Sequence, residues 1–244
     1  MTAVFIHGVP ETAEIWDEIR ANCARSDTIA LELPGFGTPL PDGFVPEVDA
    51  TKEFYTGWII EQLERIGEPI DLVGHDWGAL LAQRVASVRP DLLRTWACGG
   101  GPIDATYVWH ETAKAWQTPE LGEQIMEAMT EGVLAVAFTS EVGATAAARM
   151  ASHIDDMMKR CILTLYRSAI DVGAEWQPAV DALGDTLPAA VIWGANDIYA
   201  PPLMGERLAT RIGASLHVLD CGHFWPLAAP LAAADALRDL WERA

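Results

Sequence analysis

The segment Asp71-Leu72-Val73-Gly74-His75-Asp76-Trp77-Gly78-Ala79 constrains the fold more than any other part of the chain. A short apolar run passes through one turn and enters a helical pattern carrying Ala79, Leu80, Leu81, Ala82 and Val85. Strand, sharp turn and helix, with glycines on both sides of a central polar residue, have the spacing of the G-x-S-x-G elbow, here with Asp76 in the serine slot. The flanking glycines are needed because the strained turn pushes the central side chain outward and leaves no room for Cβ atoms beside it. The bland alternative is an ordinary helix capped by Asp76.

Other short β-branched or apolar runs end in Gly, His or Asp and alternate with helical patterns, the rhythm of a parallel sheet wound by helices. The expected strands are Val4 to His7, Thr28 to Glu32, Ile70 to Gly74, Thr95 to Cys98, Ala190 to Trp193 and Ser215 to Leu219. Chemistry-bearing residues stand at several of their carboxyl ends, where open α/β sheets bind ligands. From about Gly101 to about Gly184 the character changes. Trp109, Trp116, Trp176, Met126, Met129, Met150, Met157 and Met158 recur at spacings compatible with short helices, and no convincing strand occurs. The expected organisation is an α/β core of residues 1–100 and 185–244 with an inserted helical cap, residues 101–184. Leu33 to Pro46, with Pro34-Gly35 and Asp42-Gly43 as turn signals, reads as a loop rimming the pocket.

The length, 244 residues, suits one domain with an insertion, and the half-apolar composition is that of a globular chain. With 16 Lys+Arg against 35 Asp+Glu, the formal charge of −19 repels phosphate backbones and anionic lipid, so neither nucleic acid nor a membrane surface is expected as a partner. No basic cluster adjoins Asp76, which favours a neutral substrate. Cys23, Cys98, Cys161 and Cys221 lack C-x-x-C spacing and read as small apolar fillers rather than a zinc or redox site. The opening Met1 to Ile6 has no basic region and runs straight into a polar motif, so a soluble cytoplasmic protein is expected.

Three further motifs accompany the elbow. His7-Gly8-Val9-Pro10 follows the first strand, where Gly8 lets the backbone approach a ligand; the N–H groups of Val9 and Trp77 are candidates for an oxyanion hole. Trp193-Gly194-Ala195-Asn196-Asp197 places an acid after the fifth strand, and Asp220-Cys221-Gly222-His223 places a histidine after the sixth. Nucleophile, acid and histidine stand in the chain order Asp76, Asp197, His223. Asp104, soon after the fourth strand, is the alternative acid.

These motifs resemble those of the aspartate-nucleophile branch of the α/β-hydrolase superfamily, which contains epoxide hydrolases and haloalkane dehalogenases. The resemblance covers nearly the whole chain, although the leading hairpin common in the family has no counterpart before His7. It implies an α/β-hydrolase fold, a mostly parallel sheet of about six strands flanked by helices, with the cap inserted over it. It also implies a covalent alkyl ester on Asp76, hydrolysed by water that His223, oriented by Asp197, activates. The chemistry requires no metal or organic cofactor; small neutral substrate and water suffice.

The leaving group decides between the two activities, because an epoxide oxygen needs a proton donor while a halide needs only N–H dipoles. Cys161 to Arg167 is similar to the Tyr-Arg segment of epoxide hydrolase caps, which makes Tyr166 the expected donor. Tyr107 and His110 are candidates for a second donor. Dehalogenases hold halide with the Trp after the nucleophile, here Trp77, and a cap Trp, for which Trp109 or Trp116 qualifies. The resulting expectation is an epoxide hydrolase, with a haloalkane dehalogenase as the alternative and a non-catalytic small-molecule receptor behind both.

Overall fold

In the computed structural model, which describes residues 1–244, six strands form a single parallel sheet. They are β1 (Ala3–Ile6), β2 (Thr28–Leu31), β3 (Ile70–His75), β4 (Leu93–Gly99), β5 (Ala189–Gly194) and β6 (Ser215–Leu219), in the spatial order β2-β1-β3-β4-β5-β6. The helices, in chain order, are α1 (Asp17–Asn22), α2 (Pro46–Asp49), α3 (Lys52–Ile66), α4 (Trp77–Val88), α5 (Glu111–Gln117), α6 (Leu121–Ala128), α7 (Glu131–Ala151), α8 (Asp156–Arg167), α9 (Val172–Leu183), α10 (Pro202–Ile212), α11 (Trp225–Ala228) and α12 (Pro230–Arg243). All six expected strands form, with ends that coincide with the expected ones or differ by at most two residues.

The inner strands are buried on both faces, which is why their sequences read as continuous apolar runs rather than alternating ones. The period of two still sorts their side chains between two cores. Val4, Ile6, Leu72 and Val191 face the larger core shared with α3, α4 and the helices above. Ala3, Phe5, Val73, Ala190 and Ile192 face a smaller one closed by α1 and α12, where Trp16, Trp225 and Leu237 are buried.

Local signals set the helix ends. The Thr51 hydroxyl accepts the Phe54 N–H at 3.2 Å to start α3, and Gly67, at φ 76°, ends it in the left-handed region. The Asp155 carboxylate likewise caps α8 through the Met158 N–H at 2.7 Å.

Between β4 and β5 every element is a helix. Helix α7 breaks at Gly143 (φ 79°, ψ 159°), so its two halves run in different directions. Helix α9 lies against α4, with the Arg84 guanidinium 5.2 Å from the Trp176 ring centroid. Its packing is therefore with the flank of the sheet, although it falls within the 101–184 segment expected to form the cap. No helix is long and apolar enough to cross a membrane.

Candidate active site

Strand β3 delivers Asp76 to the carboxyl edge of the sheet, and α4 leaves immediately behind it. Asp76 takes φ 50°, ψ −118°, a strained conformation for a residue with a side chain, and its N–H donates to the Gly99 carbonyl at 3.0 Å. The flanking glycines are steric necessities. A Cβ on Gly74 would lie 2.1 Å from the Gly78 carbonyl oxygen, and one on Gly78 would lie 2.1 Å from that of Ile6. A Cβ on Gly8 would meet Asp76 Oδ1 itself at 2.3 Å.

The two oxygens of Asp76 have different surroundings. Oδ1 accepts the Val9 N–H at 2.8 Å, whereas Oδ2 lies 3.5 Å from Nε2 of His223. Trp77 is the first residue of α4, so its N–H is among those without a helical partner at the helix N-terminus beside Asp76. Burial alone would raise the Asp76 pKa, but the His223 hydrogen bond and charge, the His75 charge and the Val9 N–H bring it below the ordinary carboxylate value.

Two turns carry the acid and the histidine, and backbone pairing joins them: the Ala195 N–H donates to Leu219 and the Asn196 N–H to Cys221, at 2.8 and 2.9 Å. Nδ1 of His223 lies 2.8 Å from Asp197 Oδ2, and Asp197 Oδ1 accepts the N–H groups of Tyr199 and Ala200 at 2.9 and 2.8 Å. Burial works to lower the His223 pKa, yet the charges of Asp197 and Asp76 hold it well above the usual histidine value. Asp104 is not part of this arrangement. It faces the Arg207 guanidinium at 3.0 Å and accepts from the Thr106 hydroxyl at 2.7 Å.

Above Asp76 lies a cavity of about 180 Å³, small beside ordinary ligand pockets. Its walls include Trp116, Phe138, Tyr166, Tyr199 and Phe224, with Asp76, His110 and His223 as the only ionisable groups besides the tyrosines. No Lys or Arg reaches it. A larger, more open cleft of about 520 Å³ lies between the segment around Thr12, Glu14, Ile15 and Glu18 and the C-terminal half of α7, and the two share no lining residue.

The expected cap residues divide sharply. Tyr166 and His110 line the cavity. Tyr166 is 3% exposed, and burial, followed by the Asp76 charge, raises its pKa well above the ordinary tyrosine value, so its hydroxyl stays protonated. His110 caps α5: its Nδ1 accepts the Ala113 N–H at 3.3 Å, which assigns the proton to Nε2 and leaves an N–H donor. Burial lowers its pKa, keeping the ring neutral.

Tyr107 does not line the cavity, and its hydroxyl donates to the Tyr199 carbonyl at 3.0 Å. The Trp109 indole likewise donates to the Ile170 carbonyl at 3.2 Å while its ring stacks on Trp77 at 6.0 Å. Neither has a donor free for a leaving group. The Trp77 and Trp116 indole N–H groups are buried without a hydrogen-bond partner, and both rings pack edge-on to Tyr166.

Four residues about the site are not marked by any motif. Glu11 Oε2 accepts the Gly8 N–H at 2.6 Å and faces Nδ1 of His75 at 3.1 Å, while the other His75 nitrogen donates to the His223 carbonyl at 3.0 Å. Glu11 and His75 are fully buried and bridge the Gly8–Val9 loop to the His223 turn. In the sequence Glu11 is visible only as the residue after Pro10, and His75 only as the variable position of the elbow. Tyr199 lies beside His223, ring centroids 5.0 Å apart, and burial raises its hydroxyl to about 12. Glu141 accepts the His223 backbone N–H.

The sequence model of the alpha/beta hydrolase family matches residues 3–236. The chain belongs to that family. The (E)-2-((N-methylformamido)methylene)succinate hydrolase of Acinetobacter baylyi is 25% identical over 239 residues, 93% of this chain and 85% of that one. The epoxide hydrolase VrEH1 of Vigna radiata superposes with a TM-score of 0.80 at 16% identity, covering 100% of this chain and 91% of that one. Haloalkane dehalogenase DbeA of Bradyrhizobium elkani does so with a TM-score of 0.79 at 20% identity, again covering 100% and 91%. At these identities the structural likeness establishes the fold, an α/β-hydrolase sheet with helices above its carboxyl edge.

Proposed function

We propose that this chain is an epoxide hydrolase that opens a small neutral epoxide to a diol through an ester on Asp76. The observation that carries this reading is the Tyr166 hydroxyl, buried, protonated and without a protein acceptor, in the same cavity as a carboxylate held ionised. His110, a neutral cavity-lining residue whose Nδ1 is occupied by the Ala113 N–H, offers its Nε2–H as a second donor. No Lys or Arg lines the cavity, and its one cation, the His223 imidazolium, is already paired with Asp76 and Asp197, which leaves nothing to hold a carboxylate substrate such as the succinate named for the Acinetobacter relative.

In the first step Oδ2 of Asp76 attacks an epoxide carbon, the carbon–oxygen bond of the ring breaks, and the departing oxygen takes the Tyr166 proton. Oδ1 becomes the ester carbonyl, already placed on the Val9 N–H. Esterification also removes the Asp76 charge, one of the two that keep His223 protonated. The imidazole pKa then falls, His223 gives up its proton to replace the one lost by Tyr166, and the neutral ring becomes able to take a proton from water. The hydroxide attacks Cγ of Asp76 and the oxyanion forms on Oδ1; collapse breaks the Cγ–Oδ2 bond, and the departing alkoxide takes the proton of the new carboxyl group, which releases the diol and restores the Asp76 carboxylate.

A second reading, haloalkane dehalogenase, is favoured by the unpartnered indole N–H of Trp116, a residue of the cavity wall. The deciding experiment is turnover of neutral terminal and aryl epoxides beside matched bromoalkanes, with diol and bromide measured separately. The epoxide reading requires diol without bromide. Bromide alone, abolished by Trp116→Phe, requires the dehalogenase; neither product returns the chain to the receptor reading.

A further inference from the structure

The proposed chemistry uses no residue of α7, yet one face of its first half is turned to the site. Leu134, Ala137 and Phe138 line the cavity at the spacing of a single helical face, and Glu141 is the next member of that face. The Phe138 ring lies 4.9 Å from that of Phe224, and Glu141 Oε2 accepts the backbone N–H of His223 at 3.0 Å. The face thus grips two successive residues of the histidine turn.

The turn is shaped to receive the carboxylate. A Cβ on Gly222 would lie 2.6 Å from Glu141 Oε2. With Glu141 in place, the main chain of His223 is held from both sides, its N–H by Glu141 and its carbonyl by Nε2 of His75. Two residues after Glu141 the helix breaks at Gly143, and beyond the break Arg149 ties the second half to Glu14 and Asp17 at 2.6 and 2.9 Å. Glu141 is therefore the polar link between the cavity-lining half of α7 and the turn that carries the base.

We propose that Glu141 is a positioning residue that clamps the His223 backbone, so that docking of the first half of α7 sets the imidazole against the Asp76 ester. This rests on the reading of His223 as the base for ester hydrolysis. Ester formation needs Asp76 and the cavity donors, not a water aligned by His223, so the two steps depend on the clamp differently. A misplacement of about 1 Å costs up to roughly a hundredfold in a step that needs the displaced group.

The test compares Glu141→Ala and Glu141→Gln with the unmodified chain in single turnovers of an accepted epoxide, following ester formation and hydrolysis separately. Glu141→Ala should form the ester at an unchanged rate and hydrolyse it about tenfold or more slowly, so that ester accumulates. Glu141→Gln keeps an acceptor oxygen and should restore most of the rate. Hydrogen exchange at the His223 amide and Nδ1–H, followed by NMR without substrate, should quicken in Glu141→Ala and stay slow in Glu141→Gln. If Glu141→Ala does not fold, Glu141→Asp, with its shorter reach, is the replacement probe and should behave as the alanine variant would. Equal slowing of both steps, or unchanged exchange at His223, overturns the proposal. Absence of any ester in the unmodified chain overturns the Asp76 reading instead, and the exchange comparison still decides the clamp.

Discussion

Oδ2 of Asp76 lies 3.5 Å from Nε2 of His223, and the two groups carry opposite charges because each shifts the other's pKa. The contact is an ion pair in the resting protein, and the proposed esterification of Asp76 would dissolve it. On the proposed mechanism the same side chain would serve first as charge partner and then as general base.

The charge coupling gives a direct expectation for Asp76→Asn. Removing the carboxylate removes one of the causes that raise the His223 pKa, so the imidazole should titrate at lower pH than in the unmodified chain. An NMR titration of the His223 ring measures it. The same variant should form no ester.

The pH dependence of the two steps should differ. Asp76 is ionised above its depressed pKa and Tyr166 stays protonated beyond the ordinary tyrosine range, so ester formation should be flat across neutral pH. Ester hydrolysis needs neutral His223 and should fall as pH decreases, with a midpoint below the free protein's His223 pKa. Single-turnover rates across pH separate the limbs.

Tyr166→Phe removes the buried donor and should slow ring opening by about a hundredfold or more, as expected for loss of a general acid. His110→Ser keeps an N-cap oxygen for α5 while deleting the cavity N–H, and should slow opening about tenfold or more without loss of helix. Rates of ester formation together with circular dichroism check both. Equal losses on epoxides and bromoalkanes would remove Tyr166 as the specific acid.

Two glycines should respond in opposite ways to alanine. Gly78→Ala drives a Cβ to 2.1 Å from the Ile6 carbonyl and should cost about 1–3 kcal/mol, roughly 2–12 °C in Tm, with loss of activity. Gly57, exposed within α3, has nothing within 4 Å of an added methyl, and Gly57→Ala should stabilise by about 0.5–1 kcal/mol. Thermal unfolding of the two variants is the measurement.

The sheet was legible because parallel strands buried on both faces leave apolar runs, and the elbow because its backbone tolerates only glycine at Gly74 and Gly78. Asp76, Asp197 and His223 could be named because each stands at a strand's carboxyl end. Glu11, His75 and Glu141 could not, since each acts across 64 to 148 residues of chain with nothing local to mark the partner. Tyr107, Trp109, His110 and Trp116 look alike in sequence. Only the hydrogen bonds of the first two to Tyr199 and Ile170 separate them from the two that line the cavity. Chain position did not separate Asp104 from Asp197 as the partner of His223, whereas the structure does: Asp197 lies 2.8 Å from His223 Nδ1 and Asp104 pairs with Arg207.

The most direct test of the ester on Asp76 is intact-mass and peptide analysis of His223→Ala after exposure to a small epoxide. With its base removed, the variant should gain the full mass of the epoxide, since ring opening expels nothing, and the added mass should map to the peptide containing Asp76. A gain on another residue, or no gain from any epoxide that the unmodified chain converts to diol, would contradict an ester on Asp76.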